Sequence, residues 1–285
     1  MTKAFTENSF ASTYRDDFLD SDNYHRILFN SGRALQAREL TQMQTIIQEE
    51  IGRMGRNMFV DGAPVNPGGP SINNSYEFVK LNTTVNQLPT DTSTLVGLEL
   101  TGAATGFIAR VLEVAPASGS DPDTLYITYV NTGTASSNTP KRFTNNENLT
   151  NSGAGITLTT QATNTTANPV VGQGTQISNG AGDFFVRGHF VFAKPQSIIL
   201  SKYTKTPNAV VGFVTQEDIV TVDDDDALYD NQGATPNRSS PGADRYRIQL
   251  VLHNKADVAS DENFIYYCDV QDGEIVDEVN ENRGL

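Results

Sequence analysis

The sequence predicts a mainly β protein with an N-terminal α-helical segment, its β part made of small antiparallel barrel or sandwich modules joined by turns. Three observations lead there. One helix-type run, Gly32 to about Phe59, precedes everything else. From Tyr76 onward, short runs rich in β-branched and aromatic residues recur between Gly, Pro, Asp and Ser. Between Asn131 and Gly182 well over half of the residues are Ser, Thr, Asn or Gly, too poor in large apolar groups for a helical core and suited to short strands and turns.

Residues 1–30 carry Phe5, Phe10, Tyr14, Phe18, Tyr24 and Phe29 among polar and acidic positions, with no sustained period. This is the pattern of an arm that lies on something, either its own domain or a neighbouring subunit. Phe5, Phe10, Tyr14 and Phe18 are the residues expected to anchor it.

The helix follows. Ala34, Leu35, Ala37, Glu39, Leu40, Gln42, Met43 and Gln44 favour it, and no proline appears before Pro64. Its apolar stripe runs Leu40, Met43, Ile47, Ile51, Met54, Met58 in steps of 3, 4, 4, 3 and 4, an eleven-residue repeat that keeps one face of a nearly straight helix apolar. That face is expected to be buried, either as a core helix lying on a sheet or as an assembly helix in an oligomer. Gly52 and Gly55 each lower helix stability by roughly 1 kcal/mol relative to Ala, so they point to a close backbone approach or an early helix end. Arg33, Arg38, Arg53 and Arg56 read as a solvated or ion-paired flank.

Val60 to Pro70, VDGAPVNPGGP, is a dense turn signal and the first structural boundary. Strand candidates then come at Tyr76–Leu81, Thr94–Thr101, Gly106–Val114 and Thr124–Val130. In the last of these, Leu125, Ile127 and Tyr129 alternate with Thr124, Tyr126 and Thr128. A second β-rich run starts at Asp183 and continues through Ala209–Val222 and Arg245–Ala256, with Gly188 and Pro195 marking bends and Asp272-Gly273 a hairpin turn. The chain thus divides into an arm and helix (1–60), a connector with the first strand (61–81), an inserted Ser/Thr/Asn/Gly-rich β module (82–182) and a second β domain (183–285).

Twenty Lys and Arg against 34 Asp and Glu give a net charge of −14, and no basic cluster appears, which argues against nucleic acid as a partner. The apolar runs are too short to span a bilayer, and the N-terminus has no signal-peptide core, so no membrane insertion is expected. Asp223 to Asp226 is the most tempting cation site, but it lacks the spacing of a calcium loop and reads as a turn-forming acidic loop. His25, His189 and His253 share no metal-ligand spacing, and Cys268 sits in an apolar strand as a buried, inert thiol. The glycine pairs open no phosphate loop, and Ser239 and Ser240 stand in no nucleophile elbow. No catalytic, metal or cofactor residue is assigned, and no cofactor is expected.

Three segments carry a resemblance: YHRILFNSGRALQARELTQMQTIIQ (Tyr24–Gln48), GDFFVRGHFVFAKPQSIIL (Gly182–Leu200) and VVGFVTQEDIVTVDDDDALYDNQGATPNRSSPGADRYRI (Val210–Ile248). Together they resemble the N-terminal region of virion structural proteins of contractile-tailed bacteriophages, especially those of marine cyanobacteria. The resemblance implies a tail component, in the baseplate or at a fibre attachment, that carries no enzymatic mechanism. Its implied setting is the virion, assembled in the host cytoplasm among other tail and baseplate proteins. A homo-oligomer is expected, with a trimer favoured because fibre-like tail parts are commonly threefold. Interaction residues are then Phe5, Phe10, Tyr14 and Phe18 on the arm and Leu40, Met43, Ile47, Ile51 and Met54 on the helix. The alternatives from other classes are a polysaccharide-degrading tail enzyme, which needs a separated carboxylate pair, and a carbohydrate-binding module, which the absence of Trp disfavours.

Overall fold

The computed structural model describes residues 10, 13–66, 68–82, 88–132, 141–230, 237–259 and 263–279. It is mainly β with one N-terminal helix and several antiparallel sheets, none of them a closed barrel. Helix α1 (Ala37–Met58) is followed by β1 (Ala63–Asn66), β2 (Pro70–Lys80), β3 (Glu99–Gly102), β4 (Ile108–Ala115) and β5 (Thr124–Asn131). Then come β6 (Asn148–Asn151), β7 (Ile156–Thr159), β8 (Val171–Asn179), β9 (Gly182–Val186), β10 (His189–Ala193) and β11 (Gln196–Ser201). The remainder is β12 (Ala209–Val220), β13 (Tyr229–Asp230), β14 (Asn237–Pro241), β15 (Arg245–Asn254), β16 (Phe264–Gln271) and β17 (Glu274–Glu278).

An eight-stranded sheet, ordered β11-β8-β2-β5-β4-β3-β6-β7, takes strands from three of the stretches marked off in the sequence. It curls so far that Thr160, just past β7, bridges back to Leu81, just past β2. Inside the curl lies a core of Val79, Leu95, Leu100, Val111, Leu125, Ile127, Leu149 and Leu158. In β5 the expected alternation holds, but both faces are covered at its start. Leu125 and Ile127 enter this core, while Tyr126 stacks on Tyr76 at 4.8 Å on the other side.

The second core is a sandwich between the sheet β1-β9-β10 and the sheet β15-β12-β16-β17, closed at one end by Ile177 and Leu200 of the large sheet. Register explains which side chains enter it. Val191 pairs with Phe184 and Ala193 with Gly182, so Phe184, Val186, Val191 and Ala193 share the inner face. Phe184 and Phe213 meet edge to face at 5.0 Å, an arrangement that suits the ring quadrupoles. Phe185, Phe190 and Phe192 therefore point to the outer face of the three-stranded sheet. The hairpin turns are those the sequence marks. Arg187-Gly188 joins β9 to β10 and Asp272-Gly273 joins β16 to β17, all four residues having positive φ, as a tight two-residue turn requires.

Candidate docking face

Helix α1 lies on the outer face of the β1-β9-β10 sheet. It starts with a capping box, in which the Glu39 carboxylate accepts from the Gln36 N–H at 3.0 Å. The two helix glycines are the contact points. A Cβ at Gly55 would overlap the Phe185 ring, and one at Gly52 would come within 3.1 Å of the Gly188 carbonyl oxygen. Close approach, not an early helix end, is what these glycines provide. Besides them only Ile46 of the helix is fully buried.

Of the two expectations for the stripe, the core helix that buries it within the chain is corrected here. Leu40, Met43, Ile47, Ile51, Met54 and Met58 are all exposed, Ile47 at 52 % and Met54 at 65 %. The physical reason is that glycine allows a backbone to sit directly on a ring, so this helix packs through its narrow glycine side and leaves its large side chains outside. At 3.6 residues per turn the six apolar residues and Gln44 fall within one arc of about 100°. All charged residues of α1, namely Arg38, Glu39, Glu49, Glu50, Arg53 and Arg56, lie outside that arc. Each is engaged within the chain: Arg38 with Asp17 at 3.2 Å, Arg53 with Asp20 and Glu49, Arg56 with Glu49, Glu50 with His25 at 3.5 Å, and Glu39 in the cap. The outward face is thus apolar and uncharged. Past the helix C-terminus Phe59 turns back to the sheet, its ring 5.9 Å from both Phe185 and Phe190, while Phe190 and Phe192 are exposed on the β10 edge strand.

The described part of the arm, Phe10 and residues 13–30, makes contacts with its own chain. Phe10 packs edge to face on Tyr246 at 5.3 Å, and the Tyr14 hydroxyl donates to Asp244 at 2.7 Å. Thr45 of the helix donates to Asp16 at 2.5 Å, and Asp17 and Asp20 reach Arg38 and Arg53. Phe10, Tyr14 and Phe18 are each half-buried on their own chain. Phe5 lies outside the described residues.

Beneath the arm is a cavity of about 230 Å³, lined among others by Phe10, Phe18, Thr45, Arg56, His189 and Tyr246. Its floor holds the ion pair of Arg187 with Glu217, whose side chain is 1 % exposed; Arg187 also donates to Asn263. Burial pushes the His189 imidazole below its ordinary value, although Glu217 opposes that, and burial together with Glu217 raises the Tyr246 hydroxyl. The sequence reading missed this cluster, yet a signal existed. Val211, Phe213, Thr215 and Glu217 alternate along β12, which puts an acid in register with core positions.

The other candidates disperse. Asp223 to Asp226 are exposed and form turns, Asp224 accepting from the Thr221 N–H at 3.0 Å and Asp225 from the Ala227 N–H at 2.9 Å. Among the described residues no three His, Cys, Asp or Glu side chains come together as metal ligands, and no helix is long and apolar enough to cross a membrane. Cys268 is fully buried in β16, where burial first, and then Glu278 and Asp269, push its thiol up to about 12. So little thiolate exists near neutral pH that the group is a poor nucleophile.

A family model described as a domain of unknown function, DUF4815, matches two stretches of the chain, residues 12–86 and 150–283. No match is found among curated proteins or among solved structures.

Proposed function

The chain belongs to the DUF4815 family, and we propose that it is a structural component of a phage tail, in the baseplate or at a fibre attachment, working by protein–protein docking and not by catalysis. The observation that carries this reading is the outward face of α1. A large, uncharged apolar surface on a chain of net charge −14 costs solubility and marks an interaction site. The three segments that resemble tail proteins support the setting; two of them, Tyr24–Gln48 and Gly182–Leu200, contain the first half of the helix and the β9–β10 hairpin under it. The partners are other tail and baseplate proteins and further copies of the chain, with a trimer favoured. The virion is its location, after assembly in the host cytoplasm.

We also propose that residues 82–182 hold a module inserted into the family's common part, of which the family model leaves residues 87–149 unmatched. The unmatched stretch carries β3, β4 and β5, and β5 hydrogen-bonds to β2 of the matched part.

The experiment is to purify intact particles and find the chain in them by peptide mass mapping and by antibody labelling in electron microscopy. Consistent decoration at one end of the tail is expected; absence from particles overturns the reading. Cleavage of host-envelope polysaccharide by the purified chain, abolished by replacing one acidic pair, overturns the non-catalytic part.

A further inference from the structure

We infer that the occupant of the outward α1 face is α1 of a second copy of this chain, which rests on the reading of that face as a docking surface. Charge is the first argument. Two copies of net charge −14 repel over most of their surfaces, and the face formed by Leu40, Met43, Ile47, Ile51, Met54 and Met58 is one where they meet without like charges opposed. A different acidic or basic protein would be selected by complementary charge, and this face has none to offer because every charged residue of α1 is engaged with its own chain.

Periodicity is the second. An eleven-residue repeat makes a seam with a slight right-handed wind, opposite in hand to that of an ordinary heptad partner. The helix that matches the repeat along its whole length is one with the same repeat, and another copy of α1 has it.

Area is the third. Twenty-two residues make a helix about 33 Å long and about 10 Å wide, a footprint of about 330 Å². This falls short of the ~800 Å² that a stable interface takes from each partner. The remainder has to come from surfaces beside the helix, and exposed Leu28, Phe29 and Leu35, which precede it in the chain, are apolar area available for that.

The test uses the full chain. Ile47 stands near the middle of α1, so it faces its counterpart whether two helices run parallel or antiparallel. Ile47→Cys should form a disulfide-linked pair under mild oxidation, and buried Cys268 gives no background. Ile47→Asp should keep the wild-type circular dichroism and thermal midpoint, because the residue is outside the chain's own core, while self-association measured by sedimentation weakens on the order of 100-fold or more. A wild-type mass for Ile47→Asp, or an Ile47→Cys chain that stays unlinked, overturns the inference. A monomeric wild type whose Ile47→Asp form fails to enter particles overturns the second copy but keeps docking; normal entry of that variant overturns both. If Ile47→Asp does not fold, the cysteine variant decides.

Discussion

Gly55 in α1 stands against the ring of Phe185 in β9 with no room for a side chain between them. This contact fixes which way the helix is turned. Any rotation that buried Ile47 or Ile51 would lift the backbone off the ring and lose the glycine contacts. The outward apolar face is therefore held in place by two residues that are not part of it.

Replacing Gly55 by Ala should destabilise the fold by about 1–2 kcal/mol, measured by chemical denaturation. Overpacking costs typically 1–3 kcal/mol, and the helix propensity of Ala returns at most about 1 kcal/mol. Gly52→Ala meets only the Gly188 carbonyl and the flexible Arg56 end, so its effect should be smaller. A stabilised Gly55→Ala variant would mean that the helix does not sit on Phe185.

The Arg187–Glu217 pair predicts a non-additive double mutant. Glu217→Ala strands a largely buried guanidinium and should cost about 3–5 kcal/mol. Adding Arg187→Met to it should recover part of that loss, since the stranded charge is removed. Equal and additive costs in a denaturation cycle would contradict the pairing.

Glu147 gives the pH dependence. Its buried carboxylate accepts from the backbone N–H groups of Ala104, Thr105 and Thr144 and from the hydroxyls of Thr105 and Thr144. Burial pushes its pKa up, but the hydrogen bonds outweigh burial and hold it below the ordinary value of 4.5. The unfolded chain then binds the proton more readily than the folded one. The stabilisation is fully present above about pH 5 and is lost as pH falls below 4.5 through the folded value. Glu147→Gln should flatten that acid limb of the stability curve and lower stability at pH 7, because an amide cannot accept from donors on both sides.

Salt should act on the arm and on assembly with opposite signs. The pairs Arg38–Asp17 and Arg53–Asp20 are exposed, worth roughly 0–1 kcal/mol each, and are screened by salt. Amide exchange in residues 16–25 should therefore quicken at 1 M salt. Self-association should tighten under the same conditions, since screening removes repulsion between acidic copies. Loosening of both together would point to ion pairs across the seam.

The class of fold was legible because periodicity and turn residues report the type of element locally: the stripe in α1, the alternation in β5, the turn at Asp272-Gly273. Which face of the helix turns inward was not. An apolar stripe states that a surface avoids water, and the sequence alone does not say whether its cover is the same chain. Gly52 and Gly55 held the answer, but a glycine signals close approach without naming what approaches. The Arg187–Glu217 pair was hidden for a related reason, because a residue of the β9–β10 turn and one of β12 meet only through the sandwich that joins their sheets.

The placement of α1 also sets an order of events during synthesis. Its platform, β9 and β10, ends at Ala193, and β2 finds one neighbour only in β8, which ends at Asn179. Translation proceeds at about 5–20 residues per second, so the helix segment emerges several seconds before the strands that orient it. Until then its glycine side and its apolar stripe are both uncovered. A ribosome-bound chain of fewer than about 190 residues should be the form most prone to bind chaperones or sister nascent chains, and release from them should coincide with closure of the β9–β10 hairpin.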